Sequence, residues 1–79
     1  MIFRFRSYFD FKGTKEQTDD LIAYLRSLKV TLLRVVRIWP PAGEEYLVQR
    51  THFDMGITRA QHKDLLKYLT KSGGEVIPW

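Results

Sequence analysis

An internal repeat is the sequence feature that most constrains the fold of this chain. When the sequence is shifted by 44 positions, residues 6–25 align with residues 50–69 without a gap. Nine of the 20 aligned positions are identical, whereas shuffled residues of the same composition would give about one or two. The identical pairs are Arg6/Arg50, Phe9/Phe53, Asp10/Asp54, Thr14/Thr58, Gln17/Gln61, Asp20/Asp64, Leu21/Leu65, Tyr24/Tyr68 and Leu25/Leu69. The sequence therefore predicts two similar halves, covering about residues 2–39 and 46–79.

Length and composition limit the classes of protein to consider. Seventy-nine residues suffice for one domain, so residues 1–79 are expected to share a single core. The absence of cysteine excludes disulfides, thiolate metal ligands and a cysteine nucleophile, and it is typical of a cytoplasmic protein. The longest apolar runs are too short to span a bilayer, so no membrane partner is expected. The net charge of +4 is a mild excess, and the positions of the cations carry more information than their sum.

The start of each half has the pattern of a strand followed by a helix. Residues 2–11 alternate, and the side predicted to face the core consists of Phe3, Phe5, Ser7, Phe9 and Phe11. Lys12 and Gly13 are expected to end this strand. Thr14 and Gln17 have the spacing of a capping box, which predicts a helix from about Lys15.

The second strand is predicted at residues 30–39, where β-branched and apolar residues dominate. Its two faces are harder to assign, because Arg34 and Arg37 fall on opposite sides. We expect Leu33 and Val35 to face the core, and the opposite side to carry Arg34, Val36 and Ile38. The choice between Arg34 and Arg37 for the open side stays undecided from sequence.

The second half repeats this pattern after a turn at residues 40–43, which include two prolines. The third strand is predicted at residues 45–55, and the repeat assigns its core side to Thr51, Phe53 and Met55. Gly56 and Ile57 should then lead to a second capping box at Thr58 and Gln61. Glycines at 73 and 74 suit the helix end, and residues 75–79 should form the last strand.

The predicted order is β-α-β-β-α-β, made of two βαβ halves. Right-handed crossovers in both halves give one four-stranded antiparallel sheet with both helices on the same face. This is an α+β, ferredoxin-like fold in which the first and third strands are central neighbours. The other sheet face is left open.

The residues expected on the open face suggest a binding function. Five of the seven arginines lie in predicted strands, whereas all six lysines lie in predicted helices or loops. Arginine forks hold phosphate and stack on flat groups, so arginines beside aromatic rings favour a non-enzymatic protein that binds single-stranded nucleic acid. The candidate binding residues are Arg4, Arg6, Tyr8, Arg34, Arg50 and His52. The sequence YLVQRTHF in the third strand does not fit the pattern of an RNA-recognition motif.

Two other interpretations of this face stay open. The arginine stems cover apolar sheet surface and pair with Asp10, Asp54 or Glu45, in which case their role is structural. Alternatively, apolar residues on the same face form a contact for a homodimer or another protein; they are Val36, Ile38, Trp39 and Val48. A small protein-interaction module of this kind suits a phage or mobile-element inhibitor of a host nucleic-acid-processing or defence complex, with an acidic or nucleic-acid-binding protein as its partner.

The sequence offers few candidates for catalysis, and no catalytic, cofactor or metal site is expected. Asp10 and Asp54 are predicted to lie at opposite ends of antiparallel strands, too far apart for an acid–base pair. His52 and His62 are separated and lack further ligands, so they do not form a zinc site. Asp10 in the sequence SYFDF, at the end of the first predicted strand, resembles the aspartate of Cas2-type nucleases on the same fold. That resemblance implies a metal-dependent nuclease acting as a dimer.

Overall fold

The computed structural model describes residues 3–39 and 48–78. In chain order they form β1 (Arg4–Gly13), α1 (Lys15–Ser27), β2 (Thr31–Trp39), β3 (Gln49–Thr58), α2 (Arg59–Lys71) and β4 (Glu75–Pro78). The strands make one antiparallel sheet in the order β2-β3-β1-β4, so β1 and β3 are the central pair. The predicted ferredoxin-like α+β fold is confirmed. The predicted turn at 40–43, the predicted strand residues 45–47 and Trp79 lie outside the described residues.

Both helices begin at the predicted capping boxes. The backbone N–H of Gln17 donates to the Thr14 hydroxyl over 3.1 Å, and the Gln17 amide oxygen accepts from the Thr14 N–H over 2.9 Å. Thr58 and Gln61 make the same reciprocal pair over 3.2 and 2.9 Å. Each box satisfies two donors that a helix start would otherwise leave unpaired, which is why the helices begin at the next residues.

The same two glutamines also join the halves. Gln17 Nε2 donates to the carbonyl of Ser72 over 3.2 Å, and Gln61 Nε2 donates to the carbonyl of Leu28 over 2.8 Å. Leu28 and Ser72 are the C-caps of the two helices and are equivalent in the repeat. The start of each helix is therefore tied to the end of the other.

The core is centred on Phe9 and Phe53, which face each other across β1 and β3 and stack with their ring centroids 5.5 Å apart. Because these residues are repeat equivalents, the pseudo-twofold axis of the domain passes between them. Both helices pack on the same face of the sheet. In the described part of the chain, the buried apolar residues come from β1, β3 and the two helices, and they are Phe9, Phe11, Leu21, Leu25, Phe53, Met55, Ile57, Leu65 and Leu69.

The central strands differ from the prediction at their ends. β1 begins at Arg4, and Phe3 is 79% exposed, so placing Phe3 in the core row was wrong. Lys12 and Gly13 do not end the strand, because they continue the pairing with β3. β3 likewise extends beyond its predicted end at Met55, through Gly56 and Ile57 to Thr58.

A β-bulge changes the assignment of faces at the start of β2. The pairing with β3 shifts register between Leu32 and Arg34. Leu32 therefore lies opposite Met55 and packs against the core, whereas Leu33 is 54% exposed and its predicted core position was wrong. An extra residue in one strand reverses the alternation of side chains, and no alternation in the sequence announces it.

After this bulge the expected assignment of β2 is confirmed. Val35 lies opposite Phe53 on the helix side. Arg34 and Val36 lie opposite Asp54 and His52, which places Arg34 on the open face. Arg37 lies opposite Thr51, on the helix side of the sheet.

We predict that Lys29→Gly stabilises the protein. Lys29 follows the C-cap of α1 and has a φ of +60°, while its repeat equivalent Gly73 has a φ of +80°. A side chain in this left-handed region costs about 1 kcal/mol, which glycine avoids. Urea denaturation should show this gain, and Gly73→Ala should show a loss. A Lys29→Gly variant less stable than the parent would contradict the strain argument.

Candidate functional site

The open face of the sheet carries a block of charged and aromatic residues along β1 and β3. Across the two strands, Tyr8 lies opposite Asp54, Asp10 opposite His52, and Lys12 opposite Arg50. The prediction that Asp10 and Asp54 lie at opposite ends of the sheet was therefore wrong. The pairing is centred on Phe9 and Phe53, so the residue after each phenylalanine lies beside the axis. The two aspartates are therefore diagonal neighbours, whose Cα atoms are about 7–8 Å apart in such a pair.

Each aspartate forms an ion pair with an arginine of the other half. Arg6 holds Asp54 in a fork, with Nε 2.9 Å from Oδ1 and Nη2 2.6 Å from Oδ2. Arg50 donates from Nε to Oδ2 of Asp10 over 2.7 Å. Arg6 and Arg50 are repeat equivalents, as are the two aspartates. The duplication thus produces a pair of crossed ion pairs around the pseudo-twofold axis.

The carboxylates of these pairs are buried and the guanidinium groups are not. Asp10 and Asp54 are 1% and 6% exposed, although neither α1 nor α2 covers this face. The side chains of Arg6 and Arg50 are 67% and 43% exposed. Arg6 donates from Nε and Nη2 to its aspartate and Arg50 donates from Nε, so each guanidinium has further N–H groups that its ion pair does not use. Each arginine is therefore held in place by a buried aspartate and remains accessible to solvent.

His52 completes the group around Asp10. Its Nδ1 lies 2.8 Å from Oδ1 of Asp10, and the histidine side chain is 13% exposed. A carboxylate can only accept, so Nδ1–H donates and the ring is held in a fixed orientation. Both oxygens of Asp10 are therefore engaged by protein groups.

The position of Asp10 bears on the resemblance to Cas2-type nucleases. Asp10 lies inside β1, three residues before the strand ends at Gly13, and not at a loop. A divalent cation at its oxygens would have to displace Arg50 and His52. Among the described residues there is no group of three His, Asp or Glu side chains placed to hold a metal.

The ion pair with Arg6 keeps Asp54 ionised. The hydrogen bonds from Arg6 lower the pKa of Asp54 below its ordinary value, against the opposing effect of desolvation. The positive charges of Arg6 and Arg34 lower the pKa of Asp54 in the same direction as these hydrogen bonds. The pairing raises the pKa of Arg6 in return.

A shallow depression of about 510 Å³ brings most of the predicted residues together. It contains cationic, aromatic and apolar groups and is lined by Arg6, Tyr8, Arg34, Val36, Ile38, His52 and Asp54. Tyr8 is 49% exposed, so part of its ring is available for contact. The combination of a flat ring, two arginines and an apolar wall suits a flat ligand that carries negative charge.

A second depression of about 680 Å³ lies towards the other end of the face. It is lined by Asp10, Lys12, Ile38, Trp39 and Arg50. Lys12 was missed as a site residue because Lys12 and Gly13 were expected to end the first strand. The available signal was the alternation of the strand, because it places Lys12 on the same face as Arg4 and Arg6.

The two remaining candidates, Arg4 and Val48, lie outside both depressions. Arg4 donates from Nη1 to the hydroxyl of Thr31 over 2.8 Å, which links β1 to β2 across Gly56. Val48 lies directly before β3 and is 44% exposed. His62, on α2, packs edge-on against Phe5 with the ring centroids 5.4 Å apart.

Comparisons of this chain with protein-family models, curated proteins and solved structures found no match. In the described part of the chain, neither helix has the length and apolar character that crossing a membrane requires. The function is therefore inferred from the geometry of the open face.

We predict that the Arg6–Asp54 pair makes stability depend on pH. Because the folded-state pKa of Asp54 is lowered, the pair stabilises the fold above the ordinary carboxylate pKa of about 4, and this contribution is lost as the pH falls through the lowered value. In urea denaturation, Asp54→Asn should therefore be less stable than the parent at neutral pH, and the difference should shrink in acid. A difference that is the same at both pH values would contradict the pairing.

Proposed function

We propose that this chain is a small non-enzymatic protein whose open sheet face binds an anionic partner, most favourably single-stranded nucleic acid. The observation that carries the proposal is the pair of accessible arginines, Arg6 and Arg50, held by buried aspartates beside exposed aromatic rings. Groups fixed before binding lose little conformational freedom when a ligand arrives. The ion pairs thus stabilise the sheet and also hold the two arginines in position for binding.

The accessible charge on this face is positive. Among the described residues, five cations lie there, namely Arg4, Arg6, Lys12, Arg34 and Arg50, against the three anions Asp10, Asp54 and Glu75. Two of these anions, Asp10 and Asp54, are buried beneath arginine, so a ligand meets mainly guanidinium and ammonium groups. Phosphates attract such groups and release counterions on binding, which supplies affinity independent of sequence.

Two aromatic side chains provide surfaces for bases. Tyr8 lies with Arg6 and Arg34 in the first depression, and Trp39 lies with Arg50 in the second. Both residues are 49% exposed. Stacking on such rings contributes about 1–3 kcal/mol per base and tolerates any base. An exposed ring next to an arginine suits a single strand, because the ring can stack on a base while the arginine contacts the adjacent phosphate.

The test compares variants that leave both ion pairs intact. Tyr8→Ala should weaken binding to a labelled single-stranded oligonucleotide by about tenfold, because it removes a stacking surface. Arg34→Ala should weaken binding, and it should reduce the slope of log K against log salt by the amount expected for about one phosphate contact. Fluorescence anisotropy over a salt series measures both effects.

Arg26→Ala is the matched control, because Arg26 is exposed in the last turn of α1 and its loss removes the same charge from another surface. It should leave binding nearly unchanged. Absence of binding to both RNA and DNA at low salt would refute the proposal. An equal effect of Arg26→Ala and Arg34→Ala would also refute it, because the binding would then be unspecific attraction to a basic protein.

A second candidate function, a protein-interaction module or homodimer, is favoured by the exposure of β2. Five of its apolar residues are between 37% and 54% exposed, namely Leu33, Val35, Val36, Ile38 and Trp39. Exposed apolar residues on both sides of one strand are typical of a partner contact. An inhibitor of a nucleic-acid-processing complex would use this surface together with the basic face. Light scattering that shows a monomer at all concentrations would refute the dimer form of this candidate.

A further inference from the structure

The sheet protects its two outer strands from pairing with other chains. β2 contains two register shifts, one on each side of Arg34–Arg37, and such bulges interrupt a row of unpaired backbone groups. β4 has only four residues and ends at Pro78, which has no backbone N–H to donate. Both features are known means by which natural sheets prevent strand addition.

The first part of β1 has no such protection. β4 pairs only with Phe9–Lys12, whereas β1 starts at Arg4. Within residues 3–39 and 48–78, no strand therefore lies along the outer side of Arg4–Ser7. This segment pairs with β3 on its other side without any register shift, so its backbone is regularly extended. It contains neither proline nor a bulge.

An apolar groove on the helix side of the sheet begins at Ser7, the last residue of this open edge, and continues beside β4. A depression of about 200 Å³ runs between α2 and the β1–β4 pair, with Ser7, His62, Leu66 and Val76 among its lining residues. A neighbouring depression of about 360 Å³ extends it along α2, past Leu66 and Val76. Leu66 is 51% exposed and Val76 is 37% exposed, so the apolar wall is uncovered.

We infer that the outer edge of Arg4–Ser7 is a strand-addition site for an extended peptide with alternating acidic and apolar residues. In an added strand, side chains point alternately to the two faces of the sheet. Those on the open face would lie beside Arg4 and Arg6, which calls for acidic residues. Those on the helix side would enter the groove at Leu66, which calls for apolar residues. The inference goes beyond the proposed function, because it concerns another edge and another class of ligand.

A second copy of this segment suits the edge less well than an acidic peptide. Suppose that Arg4–Ser7 paired antiparallel with the same segment of a second copy, and that the open faces of the two sheets lay on the same side. Arg6 would then lie opposite either Arg6 or Arg4 of the other copy. Like charges directly opposite each other destabilise a sheet. Charge complementarity therefore selects a different, acidic strand.

The direct test uses a fluorescein-labelled peptide of alternating valine and glutamate. We expect it to bind the full chain in fluorescence anisotropy, and the same peptide with every backbone nitrogen methylated to bind at least about tenfold more weakly. Binding should also slow hydrogen exchange at the amides of Arg4–Ser7. Equal binding of the two peptides would overturn the inference, because attraction of acid to a basic surface needs no backbone contact. No binding of the unmethylated peptide would overturn it as well.

A matched pair of variants locates the site. Leu66→Ser should weaken peptide binding, whereas Leu33→Ser should not, since Leu33 is a similarly exposed leucine on β2, at 54%. Equal effects of the two variants would contradict a groove at α2. The oligonucleotide measurement separates this inference from the proposed function, because Leu66→Ser should leave nucleic-acid binding intact and Arg34→Ala should leave peptide binding intact.

Discussion

The pairing of β1 with β3 at Phe9 and Phe53 is the contact on which the rest of the structure depends. Because equivalent residues of the two halves meet there, every contact made across the axis by one half can be made again by the other. The capping glutamines use this symmetry to bind opposite helix ends, and Arg6 and Arg50 use it to bind opposite aspartates. A small domain with a limited core gains stability from such repeated contacts between its halves.

The crossed ion pairs give the open face its chemical character. A buried carboxylate is costly unless hydrogen bonds compensate for its lost hydration, and here arginine provides them. The burial of Asp10 and Asp54 thus requires arginines on the surface, and these arginines retain N–H groups that the ion pairs do not use. A structural role and a binding role for Arg6 and Arg50 are therefore compatible. The sequence alone presented the two roles as competing interpretations.

Much of the fold could be predicted because the repeat and the capping boxes are local signals. Alternation in β1 and the repeat in β3 correctly identified the core around Phe9 and Phe53. The bulge at Leu33 could not be predicted, since β2 is apolar on both sides and either alternation fits it. The neighbouring positions of Asp10 and Asp54 required the register of two strands far apart in the chain, and that register follows from packing at the axis. Lys12 was missed because the alternation of β1 breaks there in the sequence, whereas pairing with β3 continues the strand through Gly13.

The most direct test of the open face as the nucleic-acid site is an amide chemical-shift titration with a single-stranded oligonucleotide. We predict shifts concentrated at β1, β2 and β3 around Tyr8, Arg34 and His52. The helix surface around the stacked Tyr24 and Tyr68, whose ring centroids are 4.1 Å apart, should be unaffected. Shifts concentrated on the helices, or no shifts at saturating oligonucleotide, would contradict the assignment of this face.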